Sequence, residues 1–285
     1  MARVLCVGVA TLDIVNLVDN YPAEDSEVRA LSQQLRAGGN ATNTALVLAR
    51  LGAESHWVGN LSDQSQAQVV RDAFAHFGVD ASRARVCAGS CLPTSYITLS
   101  KANGSRSIVH YRDMPEYAAE DFLQLDIRSF DWVHFEGRAL EQLVPMMRRA
   151  RGMCGVPISL EVEKPRPGIE DLFEEADLLF FSRDYAQKRG FASAQALLTQ
   201  LPRGSLATCT WGDQGAWALD FEGKLLHAPA QQPGKVVDTL GAGDVFNAAM
   251  LHAVSTGMQL EEALQTAVCL AGEHCGREGL GMPDE

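Results

Sequence analysis

The feature that most restricts this chain is a hydrophobic period that keeps switching. Short, continuous apolar runs alternate with longer segments whose apolar residues fall three and four apart. "VLCVGVA" (4–10) is such a run. A strand covered on both faces needs apolar side chains in both directions, so it reads as a continuous run. "GGNATNTALVLARLG" (38–52) then reads as a glycine turn and a helix with Ala45, Leu48, Ala49 and Leu51 inward, stopped at Gly52. "SHWVGNLS" (55–62) predicts a short strand, and "SQAQVVRDAFAHFG" (65–78) a helix ending at Gly78. From residue 131 the alternation resumes. "DWVHFEG" (131–137), "VPISLEVE" (156–163), "DLLFFS" (177–182), "SLATCTWG" (205–212) and "GAWALD" (215–220) predict strands, with helical segments between most of them. Two helices close the chain, at 243–256, ended by Gly257, and at about 260–274. Strands alternating with helices predict a mostly parallel sheet with helices on both faces, a three-layer α/β/α unit.

One region breaks the rhythm. "TSYITLSKANGSRSIVHYRD" (94–113) alternates residue by residue, and Asn103-Gly104 is a strong hairpin signal. "EVRALSQQLRA" (27–37) reads as another extended piece. Together they predict a small antiparallel β sheet inserted twice into one domain spanning 1–285, from segments at about 13–37 and 91–113.

Composition excludes several classes. A net charge of −12 argues against nucleic acid or an anionic membrane as partner. The seven cysteines are scattered, with none in a paired zinc-spaced array. Reduced thiols in a cytoplasmic protein are the expected reading. The apolar run near Met1 is too short for a membrane span and lacks a signal-peptide cleavage pattern. No GxxxxGK[ST], HExxH or GxSxG motif is present, and the seven histidines are dispersed.

Open parallel sheets bind ligands beyond the carboxyl ends of their strands. Asp13, Glu136, Gly39, Asn40, Asn43 and Asp244 all fall at such ends or at the strand-to-helix junctions that follow. In "KVVDTLGAGDVFNAAM" an apolar, β-branched run passes through Gly241, Ala242 and Gly243 into a helix. The first amides of a helix lack internal partners, and small residues let an anion approach them. A carboxylate at the same turn can take a proton from an incoming hydroxyl, a pairing that suits phosphoryl transfer to an alcohol. By spacing alone Asp244 serves equally well as a helix cap. Asn40 and Asn43 offer donors and acceptors for sugar hydroxyls, or a solvated first turn. Asp25 reads first as a surface-loop residue, and Arg106 as a solvated strand cation.

Read together, "GGNATNTALVLARLG" and "VDTLGAGDVFNAAM" resemble the two signatures of the ribokinase-like (PfkB) sugar kinases, in the right order and about 200 residues apart. The likeness runs nearly end to end. It sharpens toward the ketohexokinase branch in "LCVGVATLDIVNLVDNYPAEDSEVRALSQ", "NGSRSIVHY", "WVHFEGR" and "SLEVEKPR". The resemblance implies ATP-dependent phosphorylation of a sugar hydroxymethyl group, D-fructose to fructose 1-phosphate in that branch. Ribokinase-like, sulfosugar and nucleoside kinases are the alternatives within the family, and a non-catalytic sensor the alternative outside it.

By the same resemblance Asp244 matches the catalytic base, and Gly241, Ala242 and Gly243 match the anion hole. Asp13, Asp25, Gly39, Asn40 and Asn43 match sugar-binding positions. Arg106 matches an arginine of the β lid near substrate and phosphates, and Glu136 lies near the site of transfer. Trp211, Gly212 and Gly215, in "TWGDQGA", match a loop lining the nucleotide. Magnesium on the ATP phosphates, a potassium-like ion near the anion hole and a homodimer formed through the lid are implied as well. Two positions depart: Val245 stands where many relatives carry threonine, and Val268, beside Cys269, stands near a family cysteine.

Overall fold

The computed structural model describes residues 1–231 and 234–280. Among these, eight strands form the main sheet. Their spatial order is β14 (Leu225–Ala228), β13 (Ala216–Leu219), β12 (Ala207–Thr210), β11 (Leu178–Phe181), β10 (Ile158–Val162), β9 (Trp132–Glu136), β1 (Arg3–Val7) and β4 (Glu54–Val58). The strands from β12 to β4 run parallel, and β13 and β14 extend one edge antiparallel.

Helices α1 (Asn40–Arg50), α2 (Gln68–Phe77), α7 (Ala242–Ser255) and α8 (Leu260–Cys275) cover one face. Helices α3 (Ala119–Leu123), α4 (Leu140–Arg148), α5 (Arg183–Lys188) and α6 (Ala194–Leu198) cover the other. β1 shows why its sequence is uniformly apolar. Val4 and Cys6 enter the core under α1 and α7, while Leu5 and Val7 enter the opposite core. Burial of each such side chain contributes roughly 1.5–3 kcal/mol. α1 is buried further round than the inward stripe predicts, at every residue from 41 to 48, because it packs on the sheet, α2 and α7.

The predicted strand at 55–62 is two strands. At Gly59 the chain leaves the main sheet, and β5 (Asn60–Ser62) pairs with β6 (Arg85–Cys87) instead. A Cβ at Gly59 would stand 2.2 Å from the Gly8 carbonyl, so only glycine fits that departure. The β-branched run before Gly241 is not a strand. Val236 and Val237 are exposed, and the Val237 amide donates to the Cys275 carbonyl at 2.8 Å. β14 has no counterpart among the predicted strands, being a four-residue, half-exposed edge strand.

The small sheet has the order β3 (Ser32–Gly38), β2 (Thr11–Val18), β7 (Thr94–Ser100) and β8 (Arg106–Tyr111). β2 with β3, and β7 with β8, are antiparallel as expected. The two pairs join along β2 and β7, which run parallel, because both insertions leave the main sheet in one direction. Gly104, at φ 68°, makes the turn between β7 and β8.

Candidate active site

The site is built where α1 and α7 begin. Gly39 precedes α1 at φ 100°, and a Cβ there would stand 2.0 Å from the Val9 carbonyl. That backbone approach sets α1 directly beyond the end of β1. Gly38 makes room in turn for Asp13, whose Oδ2 would lie 2.2 Å from an added Cβ. Asp13 comes from β2, is buried, and accepts a hydrogen bond from Thr11 Oγ1 at 2.9 Å. Burial raises its carboxyl above the ordinary range, while Thr11, Ser95, His110 and Arg36 pull it back.

Gly241, at φ 83°, turns the chain into α7. The helix's internal ladder opens with the Val245 amide bonding the Gly241 carbonyl at 2.9 Å. The amides of Ala242, Gly243 and Asp244 therefore precede that ladder, at the positive end of the helix dipole. Nothing lies within 4 Å of a Cβ built on Gly243, and the Ala242 amide makes a long contact of 3.4 Å to the Thr239 carbonyl. Asp244 is buried in the same turn, and Asn43 Nδ2 donates to its Oδ2 at 2.6 Å. Burial raises the Asp244 carboxyl well above its usual value. The Asn43 hydrogen bond opposes this, and the negative charges of Glu163, Glu136 and Asp13 add to it. A carboxylate so placed is a stronger base than a solvated aspartate.

Asp13 and Asn43 face a cavity of about 210 Å³, walled by Arg36, Leu46, Phe77 and Leu280. The small sheet is tied down over it. Arg36 Nη1 meets Asp238 Oδ2 at 2.6 Å, Gln34 Nε2 donates to Glu278 at 2.9 Å, and Arg106 Nη1 donates to Thr239 Oγ1 at 2.8 Å. Each links the small sheet to the loop before α7 or to the segment after α8.

Other expected positions do not line this cavity. Asp25 lies at φ 56° in an exposed loop and does not line the cavity. Glu136 spends its carboxylate on the frame: Oε2 accepts from the Val9 amide at 3.0 Å, and Oε1 meets Arg138 at 3.3 Å. Asn40 Nδ2 donates to Glu161 Oε1 at 3.1 Å. Trp211 is a core side chain that anchors the turn through Gly212, whose exposed residues 212–214 lead to Gly215. A Cβ at Gly215 would stand 2.0 Å from the Ala228 carbonyl of β14. Val245 is buried in α7, Val268 is buried in α8, and Cys269 Sγ reaches Glu273.

Sequence reading missed Arg36, Glu161, Asp238 and Asn247. Glu161 carried a usable signal, since it lies at the carboxyl end of β10 opposite Glu136, its register partner. Asn247 follows Asp244 at the spacing by which Asn43 follows Asn40. Among the described residues no cluster of three or more His, Cys, Asp or Glu side chains is placed to hold a metal ion. Nor, among them, is any helix long and apolar enough to cross a membrane.

The family model described as pfkB family carbohydrate kinase matches residues 1–285. This chain is a member of the pfkB family. As a pfkB kinase it is an ATP-dependent carbohydrate kinase. Mouse (Mus musculus) ketohexokinase is 38% identical to it over 97% of each chain. Among solved structures, one assigned as a ribokinase from Agrobacterium tumefaciens superposes with a TM-score of 0.85 at 25% identity, covering 98% of this kinase and 92% of that chain. Arabidopsis thaliana ribokinase, solved with ribose and ATP, shares the fold at a TM-score of 0.81 and 23% identity, over 98% and 94%. The three-layer arrangement and the small sheet beside it are therefore those of the ribokinase fold.

Proposed function

We propose that this kinase transfers the γ-phosphoryl group of ATP to O1 of D-fructose, with Asp244 as the base. The observation that carries the reading is the Asp244 carboxylate, held by Asn43 at 2.6 Å in the first turn of α7. The far greater sequence likeness to a ketohexokinase than to ribokinases supports a ketose over a ribose.

Asp13 and Asn43 grip the sugar hydroxyls from the cavity wall, and Asn40 adds a polar group at the first turn of α1. The small sheet, latched through Arg36 and Arg106, excludes water. Asp244 takes the proton of the hydroxymethyl group. The oxygen forms a bond to the γ-phosphorus as the bond to the departing ADP oxygen breaks. The amides of Ala242, Gly243 and Asp244 stabilise the charge that spreads over the phosphoryl oxygens. The exposed turn at 212–214 offers a wall for the nucleotide. Magnesium, carried on the ATP phosphates, neutralises charge there when bound. A potassium-like ion near the Gly241 loop rests on resemblance alone.

We place the protein in the cytoplasm, where its free cysteines stay reduced. We also propose a homodimer through the small sheet. All of β8 is exposed, including Ile108 at 49%, Val109 at 70% and Tyr111 at 55%, and such an open edge invites pairing. A monomer by sedimentation at micromolar concentration sinks that assembly.

The deciding experiment measures ADP release with Mg-ATP and potassium over fructose, tagatose, ribose, sulfofructose, fructose 1-phosphate and adenosine. Release with fructose, and a product phosphorylated on O1 by NMR, supports the reading. Release with another member of the panel replaces the substrate and keeps the mechanism. Silence with ATP still bound points to a sugar outside the panel or to a sensor.

A further inference from the structure

We propose that Glu161 is a positioning residue for phosphoryl transfer, clamping the first turns of α1 and α7 together so that Asn40 and Asp244 face the sugar. The inference rests on the reading of Asp244 as the base.

Glu161 stands at the carboxyl end of β10 and is 5% exposed. Its Oε1 accepts two hydrogen bonds, from Asn40 Nδ2 and from Asn247 Nδ2, each at 3.1 Å. Asn40 lies on α1, three residues before Asn43, and Asn247 lies on α7, three residues after Asp244. Residues three apart on a helix share a face. Because Asn43 also bonds Asp244, the contacts close a ring. It runs from Glu161 through Asn40 and α1 to Asn43, across to Asp244, and along α7 to Asn247 and back to Glu161. The remaining contact between these helices is apolar packing, which resists separation but fixes rotation weakly. Two directional links at different heights set both the rotation and the rise of one helix against the other.

The clamp also orients the amides. Oε1 accepts from both asparagines, which turn their nitrogens toward Glu161, while burial and the charges of Asp244, Glu136 and Glu163 raise its carboxyl well above the ordinary range. Asn40 is thereby left with its Oδ1 directed away from Glu161, free to accept from a ligand hydroxyl. Glu161 Oε2 is buried and has no hydrogen-bond partner among the described residues. A side chain kept only to fill this space would be better apolar, because an unpartnered buried oxygen carries a desolvation penalty. Glu136, the register partner of Glu161, is committed to the Val9 amide and Arg138, so it cannot replace the clamp.

The test compares Glu161→Gln, which keeps an acceptor, with Glu161→Leu, which keeps volume and loses it. Thermal melts first establish that each variant folds. The proposal expects folded E161L to lose at least about tenfold in kcat/KM for the accepted sugar, the weight of about one buried hydrogen bond. It expects E161Q to recover most of that loss, and KM for ATP to change by less than about twofold in both, because the clamp orients groups on the sugar side. Calorimetric sugar binding without ATP should weaken in E161L in step with Asn40→Ala. Adding N40A to E161L should then weaken it little further, since the two share one contact. If E161L fails to fold, Asn247→Leu severs only the α7 half. That variant should lower kcat with sugar affinity retained.

A folded E161L with wild-type kinetics overturns the proposal. So does an E161Q as impaired as E161L, an additive N40A/E161L pair, or an unimpaired N247L. Asp244→Asn is assayed alongside. Turnover retained in D244N defeats the base assignment, whatever Glu161 does. An inactive D244N beside a fully active E161L defeats the clamp alone.

Discussion

Replacing Asp244 with asparagine separates chemistry from architecture. Asn is nearly isosteric and can still accept from Asn43 through Oδ1, so the 2.6 Å contact weakens from charge-assisted to neutral. That change costs about 1 kcal/mol. Removing the group's charge offsets it, because burial and the negative charges of Glu163, Glu136 and Asp13 oppose ionisation of Asp244. The folded pKa of Asp244 lies above its unfolded value, so its contribution to stability is full below the unfolded value and is lost as pH rises through the folded one. D244N lacks that loss. Its melting temperature should therefore fall no more than about 3 °C below wild type, and the difference should shift in favour of D244N as pH rises from 4. Turnover should drop by about 10²–10⁴-fold, the usual weight of a positioned general base. The assay is coupled ADP release at saturating sugar, paired with melts at pH 5 and pH 8. Turnover above a tenth of wild type refutes the base reasoning. A large melting loss at pH 8 refutes the electrostatic part.

Three further outcomes follow from the same structure. Arg36→Ala breaks the tie to Asp238, whose carboxyl the Leu240 amide and Arg36 hold low despite burial. Sugar KM should rise roughly tenfold, as for one partly exposed charged contact, and an unchanged KM removes the latch. Gly39→Ala forces a positive φ and a 2.0 Å approach to the Val9 carbonyl. Denaturant melts should show a loss of about 3 kcal/mol or more, with a near-neutral result showing that α1 can shift. His134 is fully buried with Nδ1 on Ser159 Oγ at 2.9 Å, and burial pulls it down to about 3. Below pH 6.5 the unfolded chain protonates this histidine while the native one does not, so stability falls with pH. Between pH 6.5 and 5 wild type should lose about 2 kcal/mol more than His134→Gln in urea titrations, and parallel titrations would exclude the mechanism.

Much of this kinase is written locally. A run such as "VLCVGVA" admits little besides a doubly covered strand, and the glycines at 39 and 241 mark where two helices must start. Helix starts at strand ends gather anions and polar ligands, so Asp13, Asn40, Asn43 and Asp244 read as one candidate site from the sequence. The same logic found Glu136, but its partners could not be read there, because a strand-end carboxylate looks alike in sequence whatever the Val9 amide and Arg138 do around it.

What tertiary structure alone decided are pairings that no local period encodes. Arg36 meets Asp238 across 202 positions, and Asn40 and Asn247 converge on Glu161 from helices 200 residues apart in the chain. The parallel junction of β2 with β7 joins two insertions, of which only 94–113 carries a hairpin signal. Leu280 reaches the cavity wall only because the segment after α8 folds back past Gly241. Sequence patterns register which face of an element seeks apolar company. Which polar group completes a hydrogen bond depends on positions fixed to within an ångström, and those exist only once the layers have packed.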